Sequence, residues 1–404
     1  MKYDFDTPVQ RFGTYSAKWD DDNFFRIITP NVRLDKDTIR LNLADMDFRC
    51  APAISRAMHK VADHENYGYT TATSAPEYLP AIIGWYQRRH NITVKPEWII
   101  YTNGAIDGVE QTILAFSKPG EGVIVCRPIY RNFSSVTEKT GRKIANCQMI
   151  NRGNGQFEMD WDGLEKVCAQ PENKVFVLCS PQNPVGRVWT KEELCKVAAI
   201  CRKHDVVVVS DEIHSDIIRS GVKHLPIIDA VEDLSNIIMV SGVNKTFNLM
   251  GLHCAYSIIP DENLRKQFKL GYDPAMPTPF AIAGTIAAYN ESEDWVDALN
   301  EYLDATMAFA VDYIVEKLPK VKAYLPQGTY ALWLDFSDYG YSPETLQYIC
   351  YQMANVFIQK GLSHDPDQGG MFMRMCITTS KTIVKEAIDR LASAFAQYEC
   401  EHQA

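Results

Sequence analysis

Ser241-Gly242-Val243-Asn244-Lys245-Thr246-Phe247-Asn248-Leu249-Met250-Gly251 is the stretch on which the reading of this chain turns. It follows Asn236-Ile237-Ile238-Met239-Val240, an apolar run that reads as a buried strand. A lone lysine then stands among small and polar residues, with Leu249 and Met250 close behind and no acidic residue within several positions. A lysine kept from carboxylates and set against apolar groups loses solvation, and its pKa falls toward neutrality. Such an amine is a nucleophile that can form a Schiff base with an aldehyde. Taken alone, the stretch reads more readily as a solvated loop lysine after a strand; the rest of the chain reverses that preference.

On the N-terminal side of this stretch, strands alternate with helices. Trp98–Tyr101, Gly122–Cys126, Lys174–Cys179 and Val206–Val209 read as strands, and Ala255–Ile259 follows the lysine as another. The runs are apolar throughout rather than alternating, the mark of strands covered on both faces. Thr102–Gly108 opens a helix that reaches Phe116, and Thr190 with Glu193 forms a capping box before another. The expectation is an α/β fold: a large domain with a mixed, mostly parallel sheet flanked by helices, plus a smaller α+β domain. Residues 1–48 lack periodicity and read as an N-terminal arm that joins the small domain. Helices open at Pro52, reaching His64, and at Glu77, reaching His90, with Tyr67-Gly68-Tyr69-Thr70 an aromatic loop between them. The large domain covers 49–287. The small domain, 288–404, carries a long helix over 293–318 that links the two domains, a strand over 328–336, a helix over 343–360, a strand over 372–378 and a helix over 380–398.

Composition narrows the function. The 404 residues are 46% hydrophobic and 23% charged, enough globular material for two domains. A net charge of −10 argues against nucleic-acid binding. The first residues form no apolar signal region, and no run approaches the ~20 apolar residues that span a bilayer. The 11 cysteines are scattered without a Cys-x-x-Cys pair and read as reduced thiols of a cytoplasmic protein. The nine histidines show no ligand spacing, so no structural metal is expected.

Several residues stand where chemistry is expected. Gly104-Ala105-Ile106 opens a helix directly after a strand, either as a turn or as an anion cradle of free N–H groups. Neither a Gly-x-x-x-x-Gly-Lys-Ser/Thr nor a Gly-x-Gly-x-x-Gly pattern is present, so a nucleotide-binding dehydrogenase is a poor reading. Asp211 closes a buried strand, where open α/β sheets bind ligands. It either caps a helix or pairs with a ring-nitrogen cation, and His214 lies near the same place. Asn183, between Pro181 and Pro184, is an Asx-turn residue or an amide for a phenolate and a carboxylate. Tyr130 packs in the core or covers a flat ring. Arg374, inside an apolar strand, is costly unless it meets an anion: a structural ion pair or a substrate carboxylate. Together these groups describe one ligand, a flat aromatic aldehyde with a phosphate and a basic ring nitrogen: pyridoxal 5′-phosphate (PLP).

Ser180-Pro181-Gln182-Asn183-Pro184-Val185-Gly186, Ser210-Asp211-Glu212 and Ser241–Gly251, in that order, resemble the fold-type I, class I/II aminotransferase superfamily. Ala44-Asp45-Met46-Asp47-Phe48, Tyr67-Gly68-Tyr69, Asn183 through Trp189, Asp211 through Asp216 and Pro326 through Tyr330 are similar to its cystathionine β-lyase-like branch, the C–S lyases. The resemblance covers nearly the whole chain. It implies that Lys245 joins the cofactor aldehyde and Asp211 pairs with the pyridine nitrogen. Asn183 and His214 then lie near the ring hydroxyl, Tyr130 stacks, Ser241 belongs to the cofactor site, and Gly104, Ala105 and Ile106 hold phosphate. Arg374, with Asn183, takes the substrate carboxylate. Tyr69 reaches the phosphate of a partner subunit, which implies a homodimer with shared sites. The chain departs from the pattern in three places. His253 stands where many members have a phosphate-binding arginine. Gly242 and Asn244 hold places where lyases commonly carry serine. Ser363–Gly370 is poorer in glycine and phenylalanine than usual. The implied reaction is β-elimination from cystathionine or a cysteine S-conjugate, giving thiol, pyruvate and ammonia. Transamination on the same site is the alternative, and a PLP-holding regulatory protein is a rival of another class.

Overall fold

The computed structural model describes residues 2–7, 9–271 and 276–402. Helices α1 (Pro52–Asp63) and α2 (Tyr78–His90) precede the central sheet. The chain then runs through β1 (Ile99–Thr102), α3 (Ala105–Phe116), β2 (Gly122–Val125), α4 (Arg131–Lys139), β3 (Lys143–Asn146), α5 (Trp161–Cys168) and β4 (Asn173–Cys179). α6 (Lys191–Lys203), β5 (Val207–Asp211), β6 (Ile237–Gly242) and β7 (Ala255–Ile258) complete it.

The seven strands lie in the order β1-β7-β6-β5-β4-β2-β3. β7 is antiparallel to both its neighbours, and every other pair is parallel. Because β1 and β6 flank the single reversed strand, they run the same way. The carboxyl ends of β1, β2, β4, β5 and β6 therefore leave one edge. Along β4, Val175, Val177 and Cys179 enter one core cluster while Phe176 and Leu178 enter another. Burial on both faces explains why the strands read as continuous apolar runs.

After β7 come α7 (Glu262–Leu270), α8 (Pro279–Glu291) and α9 (Glu293–Lys317). The first half of α9 packs in the large cluster through Trp295, Leu299 and Leu303, and its second half joins a separate cluster through Met307, Ala310 and Ile314. That second cluster lies under a three-stranded antiparallel sheet of β8 (Ala331–Asp335), β9 (Gln359–Lys360) and β10 (Phe372–Cys376), closed by α10 (Lys381–His402).

Two expectations are corrected. A single helix over 343–360 does not form: helix Pro343–Tyr348 widens into a π turn over Ile349–Met353 and stops. Asn355 takes a left-handed φ of 52°, and its amide bonds Thr38 and Asp35, as suits a residue just past a helix end. Val356–Phe357 then pairs in parallel with Ile39–Arg40. The N-terminal arm is also more folded than its composition suggests. Helices Ala17–Asp20 and Asp22–Ile28 form there, and Phe25, Val32, Leu34, Ile39 and Leu41 are buried in the second cluster. Their spacing matches neither helix nor strand because tertiary contacts, not local periodicity, bury them.

Candidate active site

The carboxyl edge of the sheet opens onto a cavity of about 190 Å3. Lys245 lies in the turn after β6, and its Nζ donates to the Ala44 carbonyl at 2.7 Å. Burial is the main influence on this amine. Together with the Arg374 charge it brings the pKa down to about 8, against the opposing pull of Asp45, Cys376 and Asp211. Lys245 has no acidic neighbour in sequence, yet two carboxylates act on it in space. Desolvation still prevails. That fall raises the neutral, nucleophilic fraction at pH 7 by about two orders of magnitude.

Asp211 ends β5, with 4% of its surface exposed. Burial pushes its carboxyl up to about 7; the Ile213 N–H, 3.0 Å from Oδ1, and Lys245 pull the other way, and the Glu212 charge adds to the rise. No helix begins at Asp211, so the cap reading fails: the chain turns through 212–216 without one. That turn carries His214 into the cavity wall, edge-on to Tyr330 with centroids 5.3 Å apart. Burial, then Lys245 and Arg374, hold the His214 pKa well below its ordinary value, and its Nδ1 has no hydrogen-bond partner.

Asn183 enters from the loop after β4. Its Oδ1 accepts from Arg374 Nη1 at 3.2 Å, while Arg374 Nη2 donates to the Asn42 carbonyl at 2.9 Å. Alternation along β10 sets this arginine: Met373 and Met375 enter the second cluster, so Arg374 emerges on the opposite face. It is 2% exposed, and its Nε has no partner. The ion-pair reading fails, since Arg374 meets an amide and a carbonyl. Tyr130, at the start of α4, lines the cavity and takes a 2.9 Å hydrogen bond from Asn132 on its hydroxyl. Gly104, Ala105 and Ile106 form the wall where α3 begins. A Cβ on Gly104 would meet nothing within 4 Å, so the first-turn N–H groups stand beside open space.

Arg374 stands behind this wall and meets it through Asn183. Three further residues do not line it. Ser241 is buried, and its Oγ donates to the Glu212 carbonyl at 3.3 Å. The period of two along β6 turns it to the face that holds Met239. His253 is exposed, with Nδ1 3.2 Å from the Asn103 carbonyl. Tyr69 is 99% exposed. The structure adds Ala44, Phe133, Cys179, Ile213, Asn244 and Met250 to the wall. Asn244 and Met250, in the lysine stretch, and Ala44 and Ile213, in quoted motifs, were findable; Phe133 and Cys179 are apolar residues that only chain folding brings in.

These groups fit pyridoxal 5′-phosphate. A near-neutral amine suits the aldehyde, a buried carboxylate with a raised pKa suits the pyridinium, and the Gly104 cradle suits the phosphate. The sequence from residue 36 to 391 matches the model of the family described as aminotransferase class I and II. The chain belongs to that family. It is 34% identical over 396 residues to cystathionine beta-lyase PatB of Bacillus subtilis, covering 97% of this chain and 100% of that one. It is 30% identical to protein MalY of Escherichia coli over 398 residues, 97% and 98% of the two chains. Cystalysin from Treponema denticola, a crystal structure containing a pyridoxal 5′-phosphate cofactor, superposes with a TM-score of 0.91 at 30% identity, over 98% of this chain and 100% of that one. Among the described residues no helix is long and apolar enough to cross a membrane.

Proposed function

We propose that this chain is a PLP-dependent carbon–sulfur β-lyase that converts cystathionine or another cysteine S-conjugate to a thiol, pyruvate and ammonia. The observation that carries the proposal is one cavity lined by the depressed Lys245 amine, the Asp211 carboxylate and Asn183, whose Oδ1 holds the Arg374 guanidinium. Its 34% identity to a cystathionine beta-lyase over nearly full length favours elimination over transamination.

Asp211 would pair with the pyridinium of PLP, Gly104, Ala105 and Ile106 would take its phosphate, Tyr130 would cover its ring, and Lys245 would join its aldehyde. When bound, the cofactor supplies an electron sink for the pair left at Cα. The chain's residues do the rest. Arg374 and Asn183 take the substrate carboxylate and so fix which Cα bond stands over the ring. Lys245, released as a neutral amine, removes the Cα proton, as a base with a pKa of about 8 can near neutral pH. The Cβ–S bond then breaks with its electron pair on sulfur, and water releases pyruvate and ammonia. His214, held neutral, adds no positive charge beside the ring.

We also infer a homodimer, in which the exposed Tyr69 reaches the partner's phosphate site. We place the protein in the cytoplasm, which keeps its eleven free cysteines reduced.

The test is incubation of the PLP-loaded protein with L-cystathionine and no keto acid. Pyruvate in large molar excess over enzyme is expected, and Lys245→Ala should abolish it. A single turnover restarted only by added keto acid would make the protein an aminotransferase instead.

A further inference from the structure

Residues 42–47 run between the two sides of the cavity, and their main chain holds both. The Asn42 carbonyl accepts from Arg374, and the Ala44 carbonyl accepts from Lys245 Nζ at 2.7 Å and Tyr330 Oη at 3.2 Å. Met46 exchanges two hydrogen bonds with the Asn248 side chain, at 3.0 and 2.9 Å. Thr378 Oγ1 donates to the Asp45 carbonyl at 3.0 Å. This strap thus joins the lysine turn to the small sheet.

Two cations that the proposed mechanism does not use are packed against the strap. Arg11 grips Asp45 with both ends of its guanidinium, Nη1 to Oδ1 at 2.8 Å and Nη2 to Oδ2 at 3.0 Å. The same Nη1 lies 2.9 Å from the Met46 carbonyl and 3.0 Å from Asp47 Oδ1. Lys18 is fully buried, and its Nζ donates to Asp47 Oδ2 at 2.7 Å. Trp19 Nε1 donates to Asp47 Oδ1 at 3.0 Å. A bidentate arginine–carboxylate pair fixes direction as well as distance, so these contacts set where the strap lies.

We propose that Arg11, supported by Lys18, is a positioning residue for Lys245: it locks the strap through Asp45 and Asp47 and balances the charge that Asp45 presents to the lysine amine. The proposal rests on Lys245 being the reactive amine, as in the proposed function.

The groups acting on Lys245 come from every side of the cavity. Arg374 on β10 lowers its pKa, and Asp45 on the strap, Cys376 on β10 and Asp211 on β5 raise it; His214, in the turn after β5, is held neutral. Arg11 is the counter-charge to Asp45. Removing Arg11 leaves Asp45 unbalanced, which favours the ammonium. Removing the Asp45 charge leaves Arg11 unbalanced, which favours the neutral amine. Removing both returns the amine toward its starting point.

The experiment uses full-length Arg11→Met, Asp45→Asn and the double variant, freed of cofactor. Each is acetylated with limiting acetic anhydride across pH, and the Lys245 peptide is read by mass spectrometry. The midpoint should rise in Arg11→Met and fall in Asp45→Asn, each by roughly half a unit to one unit, and return near wild type in the double variant. In the PLP-loaded proteins the acid limb of kcat, which reports the amine released in the substrate complex, should follow the same order. Labelling needs no turnover, so failure of the lyase reading would appear as absent pyruvate with the labelling order intact. Midpoints that stay fixed, or move together, would overturn the proposal. If Arg11→Met does not fold, the near-isosteric Asp45→Asn decides alone: a folded variant with an unshifted midpoint refutes the charge balance.

Discussion

At the scale of the residue, the site sets two buried titratable groups against their ordinary values, and both shifts follow from desolvation. Asp211 makes a stability prediction with a definite sign. Its folded pKa of about 7 lies above the ordinary carboxylate value of 3.8. The cofactor-free fold is therefore favoured by this group below pH 4, and loses that contribution as pH rises through 7. Asp211→Asn removes the titration. The cofactor-free variant should match wild type near pH 4 and exceed it at pH 8, by up to about 4 kcal/mol. Urea denaturation at the two pH values measures the difference; parallel pH profiles would refute it. The meeting of Lys245, Asp211 and Asn183 in one cavity wall was legible because a lone lysine, a strand-end aspartate and an amide between prolines are each odd by their chemistry. Ser241 shares the lysine's motif, yet strand alternation turns it to the face that holds Met239 rather than into the cavity wall.

At the scale of the element, Gly242 shows why a departure from the lyase-like pattern is tolerated here. Gly242 is the register partner of Ala255 on β7. A Cβ at Gly242 would stand 2.5 Å from the Cys254 carbonyl oxygen and 2.8 Å from Ala255 Cα, which are backbone atoms that cannot swing aside. Gly242→Ser should therefore cost about 1–3 kcal/mol in chemical denaturation even though it restores a serine common in that branch. A neutral result would mean that β7 shifts freely. The capping box at α6 was readable because its four residues are contiguous, and the structure forms both of its hydrogen bonds. The break after Met353 was not read, although Asn355 followed by Val356-Phe357-Ile358 is a stop followed by a strand signal.

At the scale of the whole molecule, the wall of the cavity is drawn from segments about 200 residues apart, from Ala44 to Met250, and Arg374 is joined to it through Asn183. If the active unit is a homodimer with shared sites, Tyr69→Phe and Lys245→Ala subunits should complement each other. Random mixing places one intact site in half of the dimers, so about a quarter of wild-type activity should return from two weak parents. Activity no higher than the mean of the parents would place Tyr69 outside the partner's site.

The sequence by itself determined the α/β class and the burial of the central strands, and it singled out the lysine, aspartate and arginine as unusual, because each of these is written in local composition or spacing. Only the tertiary structure decided that β7 runs against its neighbours and that Val356–Phe357 pairs with the N-terminal arm. It alone placed Asp45 beside Lys245 and gave Asp45 its counter-charge in Arg11. These are long-range facts, fixed by how buried surfaces and buried charges find partners across the chain. No local pattern records them.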